Sequence, residues 1–187
     1  MEHLLSSSTV VIGVGNSILS DDGVGVHAVH LLENDRRVPP GVVILDGGTI
    51  GLELLPYASD ARRLLILDAM NSSEAPGTLV RMTGAEMLEA KTGRSVHQLG
   101  VADLISALAL VSSTPQEIVV LGVQPATIGW GTTLSPAVEA ALASLVDAAA
   151  AQLQLWQESP LAATDPPLLA SPSPGQTQLG CGNKGSL

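Results

Sequence analysis

The sequence predicts an α/β fold, a three-layer sandwich in which a mostly parallel sheet of about five strands has helices on both faces. Three observations lead to this prediction. Apolar runs of strand length are continuous rather than alternating, which is typical of strands covered on both faces. Helical patterns separate these runs, so strand and helix alternate. The chain has no Phe, one Tyr and two Trp, so its core must consist of Val, Leu, Ile and Ala.

Four predicted strands are continuous apolar runs, and a fifth run alternates. The continuous runs are 9–14, 42–46, 63–68 and 117–123. The alternating run, 77–82, follows "APG" and predicts a strand at the edge of the sheet, where one face is less covered.

Five segments between or after the strands have helical character. They are 22–34, 50–57, about 84–91, 99–111 and the long segment from Pro136 to about Trp156. The second is expected to stop near Pro56, because proline disrupts a helix interior. The last has Ser135 in the N-cap position and Pro136 at the first helical position, two common start signals.

The domain organisation follows from a change in composition near residue 158. Residues 1–157 are predicted to form a single α/β domain. Residues 158–187 are rich in Pro, Ser and Gly and have little periodicity, which predicts a disordered tail.

Charge and cysteine content limit the classes of function. A net charge of −10 argues against binding to nucleic acid or to an anionic membrane, and makes a cationic or metal-bearing partner easier to accommodate. The single cysteine, Cys181, lies in the tail and excludes a disulfide within the chain, which fits a reducing compartment. No signal peptide or membrane span is recognisable, so the sequence predicts a cytoplasmic protein.

Acidic residues follow three of the predicted strands. "SDDGVG" (20–25) places Asp21 and Asp22 where a nucleotide-binding protein would hold phosphate, and the next two strands both end in "ILD", at Asp46 and Asp68. The carboxyl ends of parallel strands line one crevice. The sequence therefore predicts a cation site at this edge, although each Asp is also a common helix cap or turn residue.

His97, in "SVHQLGVAD" (95–103), adds a nitrogen donor just before the predicted fourth helix. Two carboxylates and one imidazole suit a divalent transition metal such as nickel, zinc or iron, although a single loop histidine is often only a surface or capping residue. His27 and His30 have no acidic partner at ligand spacing, so they are expected to be ordinary helix-face residues. The sequence has no G-x-S-x-G, Walker lysine or Cys-x-x-Cys motif, so a metal and its water are the best candidates for hydrolytic chemistry.

Five segments in order resemble the nickel–iron hydrogenase maturation proteases over about residues 9–150. They are "GVGNSILSDDGVG" (13–25), "DGGTIGLELL" (46–55), "LDAMNSSEAPGTL" (67–79), "SVHQLGVADLI" (95–105) and "VLGVQP...LSPAV" (120–138).

The resemblance implies specific roles for the residues that match the family's motifs. Asp22, Asp68 and His97 would bind metal and carry the catalysis through it, with no separate nucleophile identified. Asp46, Thr49 and Gln98 would have supporting roles; Asp46 and Thr49 match a D-x-G-T segment and Gln98 an H-Q-x-G segment.

The function that the resemblance implies is an endopeptidase that removes the C-terminal extension of a hydrogenase large-subunit precursor after nickel insertion. The nickel would be that of the substrate, with zinc or cadmium as surrogates, and the protease is expected to be a monomer. Three alternatives remain: a non-enzymatic docking factor that checks cofactor loading, a nucleotide-binding protein, and a general metallopeptidase. Loss of a C-terminal peptide from the partner would exclude the docking factor.

Overall fold

The computed structural model describes residues 9–90, 99–111, 115–159 and 161. In this part of the chain, five strands form one sheet and helices cover both of its faces, so the predicted fold class is confirmed. The strands are β1 Thr9–Val14, β2 Val43–Gly48, β3 Arg63–Ala69, β4 Leu79–Thr83 and β5 Glu117–Val123.

The described α-helices pack in two layers. They are α1 Val24–Leu32, α2 Leu55–Ser59, α3 Gly84–Ala90, α4 Leu99–Leu108 and α5 Pro136–Glu158. Helices α1 and α5 bury one cluster of aliphatic side chains against the sheet, and α2, α3 and α4 bury a second cluster against its other face. Of the three aromatic residues, only Trp156 is buried, so the core is aliphatic as predicted.

The strand order β2-β1-β3-β5-β4 determines where a ligand can bind. Strands β1, β2, β3 and β5 are parallel, and β4 is an antiparallel edge strand, as its alternating sequence predicted. The chain leaves β1 towards β2 on one side and then returns to β3 on the other side. The carboxyl ends of β1 and β3 therefore border a topological switch point, which is the usual ligand crevice of open α/β sheets.

Two predicted helices begin differently from what the sequence indicated. A 3-10 turn, Ser20–Gly23, precedes α1, and a second one, Gly51–Leu54, precedes α2. The expectation that Pro56 stops the second helix is wrong, because Pro56 lies in the first turn of α2 and the helix continues to Ser59. In the first turn the missing N–H has no helical partner to lose, so proline is tolerated there.

The N-terminal end of α1 packs against the sheet at a distance that only glycine allows. A Cβ atom on Gly25 would lie 2.2 Å from the carbonyl oxygen of Leu67 and 2.4 Å from that of Val14. A Cβ atom on Gly13 would lie 2.3 Å from the carbonyl oxygen of Gly25. The glycines of this segment thus allow the 3-10 turn before α1 to approach β1 and β3 closely.

No helix in the described ranges is long and apolar enough to span a bilayer. The predicted tail lies almost wholly outside the described residues, so its disorder stays a prediction, as does the boundary near residue 158.

We expect Gly25→Ala to lower the free energy of unfolding by about 1–3 kcal/mol or more, since the added methyl group overlaps backbone atoms that cannot move independently. Gly100→Ala is a matched control, because a Cβ atom there meets nothing within 4 Å, and we expect it to be neutral or slightly stabilising. Urea unfolding of both variants measures the difference. Equal stabilities would contradict the close packing of α1 on β3.

Candidate active site

Asp68 is a buried carboxylate at the end of β3, with 8% of its surface exposed. Its Oδ1 accepts a hydrogen bond of 2.8 Å from the backbone N–H of Ala69. Burial raises the pKa of Asp68 well above its usual range; the Ala69 hydrogen bond opposes this shift, and the negative charge of Asp22 adds to it. The two acids therefore lie close enough for their charges to interact, as the strand-end pattern predicted.

Asp22 belongs to the 3-10 turn that follows β1. This turn packs against β3, the strand that ends near Asp68. Asp22 is half-buried, and its Oδ2 accepts a hydrogen bond of 2.8 Å from the backbone N–H of Asn16. Gly15 has φ +126°, and a Cβ atom there would lie 1.8 Å from the carbonyl oxygen of Asp22. The glycine therefore lets the turn fold back over the end of β1, which directs Asp22 towards Asp68.

Asp21, the neighbour of Asp22, has a different function in the structure. It is fully buried, and its carboxylate accepts hydrogen bonds from the backbone N–H groups of Ala126, Thr127 and Ser135 at 2.9, 3.0 and 2.6 Å. The hydroxyl of Ser135 donates a fourth bond of 2.8 Å. Burial tends to raise the pKa of Asp21, but these hydrogen bonds outweigh it and lower the pKa. Asp21 thus holds the loop after β5 against the turn that carries Asp22.

Ser135 lies at the predicted N-cap position before α5, but its side chain does not make the predicted capping contact with the helix. Its hydroxyl donates to Asp21 instead. The hydroxyl thus acts as a donor in a tertiary contact, and the charge of the carboxylate strengthens that hydrogen bond.

Asp46 and Asp68 end successive strands with the same tripeptide but point to opposite faces of the sheet. Side chains alternate along a strand, and Asp46 lies on the same side as Ile44, which packs in the α1 and α5 layer. Asp68 lies on the same side as Ile66, which packs in the layer of α2, α3 and α4. Asp46 and Asp68 are therefore not neighbours across the crevice.

The contacts of Asp46 are with α1 and with its own strand end. Its Oδ2 lies 3.2 Å from His30 Nε2, and its Oδ1 accepts a hydrogen bond of 3.0 Å from the N–H of Gly48. His30 thus has an acidic partner that the spacing along the sequence did not indicate, because Asp46 belongs to a different element. Thr49 follows in the same loop and is exposed.

His97 and Gln98 lie outside the described residues, so the structure leaves their predicted roles untested. Among the residues that are described, no group of three or more acidic, His or Cys side chains is arranged to hold a metal ion. The described part of the site is thus the pair Asp22 and Asp68, and the third donor stays a prediction. Helix α4 begins at Leu99, two residues after His97, and packs on the face towards which Asp68 points.

A cleft of about 170 Å³ opens at the carboxyl ends of β3 and β5, next to Ala69, the residue that follows Asp68. It is lined by Ala69, Asn71, Gln124 and the segment 125–128. Gln124 is buried, and its Oε1 accepts hydrogen bonds from the N–H and the hydroxyl of Ser72 at 2.7 and 3.1 Å. The strand-end loops that border the site are therefore cross-linked by buried polar groups.

The sequence pattern did not indicate Gln124, nor the contact between Asp21 and Ser135. The doubled acid "DD" was the available signal, since a second carboxylate beside a ligand needs a partner of its own. Nothing in the local pattern indicates that this partner lies more than 100 residues further along the chain.

We expect Asp21→Asn to lower the free energy of unfolding by about 3 kcal/mol or more. The amide NH2 group replaces one of the two carboxylate oxygens and cannot accept a hydrogen bond, so buried N–H donors are left without an acceptor. Asp22→Asn is the matched control: its Oδ atom can still accept from Asn16, and its stability should stay close to that of the wild type. Thermal unfolding should then show a decrease in Tm of about 6–12 °C for Asp21→Asn only. Similar decreases in both variants would refute the anchoring role of Asp21.

Comparisons with known proteins show the family to which the chain belongs. Residues 26–152 match the family model of the hydrogenase maturation proteases. The chain is 38% identical over 147 residues to the hydrogenase 2 maturation protease of Escherichia coli, covering 78% of this chain and 90% of that protein. It is 37% identical over 156 residues to the hydrogenase expression/formation protein HupD of Bradyrhizobium diazoefficiens, covering 79% of this chain and 78% of that protein.

Solved structures give the same result. The hydrogenase maturating endopeptidase HybD of Escherichia coli superposes with a TM-score of 0.71 at 37% identity, covering 81% of this chain and 93% of that one. The [NiFe] hydrogenase maturation protease HybD of Thermococcus kodakarensis superposes with a TM-score of 0.65 at 26% identity, covering 78% of this chain and 98% of that one. Both the matched sequence and the fold therefore place this chain in the hydrogenase maturation protease family.

Proposed function

We propose that this protein is an endopeptidase that removes the C-terminal extension of a nickel–iron hydrogenase large-subunit precursor once nickel has been inserted. Membership of the protease family supports the class of reaction. The single structural observation that carries the proposal is the pair of acids, Asp22 and Asp68, at the switch point of the sheet.

The pair suits a cation because it combines negative charge with burial. Asp68 is nearly inaccessible to water, and the charge of Asp22 makes its ionisation still less favourable. A divalent cation between the two carboxylates would reverse both effects, since it attracts each charge and replaces the lost hydration. The donor chemistry of the described residues thus fits the metal that the proposal requires.

Each carboxylate is also oriented by a backbone group. The N–H of Asn16 holds one oxygen of Asp22, and the N–H of Ala69 holds one oxygen of Asp68. Within the described ranges, the second oxygen of each accepts no hydrogen bond. Such orientation reduces the rearrangement needed when the metal arrives.

His97 is the third donor in this proposal. It lies two residues before α4, the helix of ten residues that leads through 109–116 to the start of β5. A helix of that length spans about 15 Å, which is enough to return the chain from the carboxyl edge of the sheet to the amino edge. The topology therefore supports a position for His97 near Asp68.

Nickel enters the proposal as part of the substrate. On the precursor it would be held by the substrate's own ligands, and Asp22, Asp68 and His97 would contact it when the two proteins associate. Bound nickel can polarise a carbonyl group or activate a water molecule. Zinc or cadmium would be surrogates in the isolated protease. Cleavage would thus depend on metal loading of the precursor.

The remaining assignments complete the proposal. Asp46, Thr49 and Gln98 have supporting roles; for Asp46, the contact with His30 ties the end of β2 to α1. We further propose that the protein acts as a cytoplasmic monomer, with neither nucleic acid nor membrane as a partner, in keeping with its net charge of −10.

The test measures the intact mass of a candidate precursor, nickel-loaded and nickel-free, after incubation with the protease. We expect wild type to release a C-terminal peptide from the loaded precursor only, and His97→Ala to release none. Asp60→Asn, which removes an exposed carboxylate at the end of α2, is the control and should cleave normally. Nickel-dependent binding without cleavage would indicate a docking factor instead.

We expect Asp68→Asn to abolish this cleavage while making the isolated protein more stable by about 0.5–2 kcal/mol, as is common when a destabilising functional group is removed. The amide keeps the acceptor for the N–H of Ala69 and removes a buried charge beside Asp22. Denaturant unfolding at neutral pH, without added metal, measures the gain. A clear loss of stability would show that the Asp68 carboxylate has a structural role.

A further inference from the structure

Three exposed apolar side chains lie on the two loops that form the rim of the candidate active site, the loop after β1 and the loop after β5. Trp130 is 86% exposed, Ile18 48% and Ile128 38%. Ile18 belongs to the loop after β1, and Ile128 and Trp130 belong to the loop after β5. We call these three residues the rim ridge.

The two loops that form the rim ridge are hydrogen-bonded to one another. The N–H of Ser20 donates to the carbonyl oxygen of Gly131 at 2.8 Å, and the N–H of Gly131 donates to that of Ile18 at 3.0 Å. The hydroxyl of Ser20 donates to the carbonyl oxygen of Gly129 at 3.0 Å. The three exposed side chains are therefore carried by one joined element rather than by two independent loops.

This element is also fixed relative to the acid pair. Asp21 accepts hydrogen bonds from the N–H groups of Ala126 and Thr127, immediately before Ile128. Asp22, the next residue along the chain, belongs to the acid pair. Ile128 itself lines the cleft at the carboxyl ends of β3 and β5, as does Ala69, the residue that follows Asp68. A molecule that contacts the rim ridge would therefore be held at a defined position relative to the two carboxylates.

The charge of the loop indicates what kind of surface it can contact. Segment 118–138 contains no charged residue, although the chain has a net charge of −10. Trp130 does not support the core, which is formed by aliphatic side chains and Trp156. Exposed Trp beside apolar neighbours is typical of the centre of a protein interface, where it supplies a large part of the binding energy.

We propose that the rim ridge is the docking surface for an apolar segment of the large-subunit precursor next to the bond that is cut. This inference rests on the proposed function and extends it from the reaction to the recognition of the substrate. Contacts at the rim ridge would be equal in the bound substrate and in the transition state, so they would contribute to binding rather than to the chemical step. The apolar surface and the metal contact then act as two separate requirements for cleavage.

The experiment compares Trp130→Ala with Leu110→Ala, which removes a side chain that is 89% exposed outside the rim. For cleavage of the nickel-loaded precursor, we expect Trp130→Ala to raise KM at least about tenfold with kcat within about twofold. Leu110→Ala should leave both constants unchanged, and Trp130→Phe should keep most of the affinity. An unchanged KM for Trp130→Ala, a decrease in kcat alone, or an equal effect of Leu110→Ala would each overturn the proposal.

A binding measurement separates this inference from the proposed function. Each substitution is made in the Asp68→Asn background, and its Kd for the nickel-free precursor is measured, so that neither cleavage nor the metal contact contributes. We expect at least about tenfold weaker binding with Trp130→Ala and no change with Leu110→Ala. Unchanged binding would overturn the docking surface even if the wild type cleaves, whereas weaker binding would support it even if no cleavage is found. Unchanged Tm values confirm that the variants are folded.

Discussion

The buried carboxylate of Asp21 is the interaction on which the arrangement of the site depends. It accepts four hydrogen bonds from the loop after β5 and from the start of α5, and it belongs to the turn that follows β1. One side chain thus links two segments more than 100 residues apart in the sequence, in addition to the hydrogen bonds that Ile18 and Ser20 make with the same loop. Because all four donors converge on Asp21, the negative charge is stable without contact with water.

The adjacent acid, Asp22, is placed in a contrasting environment. Asp22 accepts one hydrogen bond from a backbone N–H and lies close to Asp68. Burial raises the pKa of Asp68. Two neighbouring aspartates therefore have different environments: Asp21 accepts four hydrogen bonds, whereas Asp22 accepts one from the part of the chain that the structure describes. Two carboxylates close together in a crevice are unfavourable for the isolated protein but favour a cation, which is how functional sites commonly differ from the rest of a fold.

Close packing also explains the glycines from the end of β1 to the start of α1. Gly13, Gly15 and Gly25 occupy positions where a side chain would overlap backbone or packed atoms. Glycine loses more conformational entropy on folding than other residues do. This cost is offset because the turn packs closely against β3; without that packing, Asp22 would lie further from Asp68. The segment that resembles a phosphate-binding loop thus serves to bring a carboxylate close to the sheet.

The sequence by itself determined the fold class, the strands, the edge position of β4, the family and the acids at the strand ends, because these follow from local periodicity and from motifs. Boundaries and partners were less predictable: Pro56 lies in the first turn of α2, Ser135 donates to Asp21, and His30 contacts Asp46. Only the tertiary structure decided that Asp46 and Asp68, which end identical tripeptides, face opposite layers. The reason is that side chains alternate along each strand, so the layer that a residue faces depends on its position in the strand and on which helices cover each face of the sheet. The order in which the chain crosses the sheet decides which helices lie on which face.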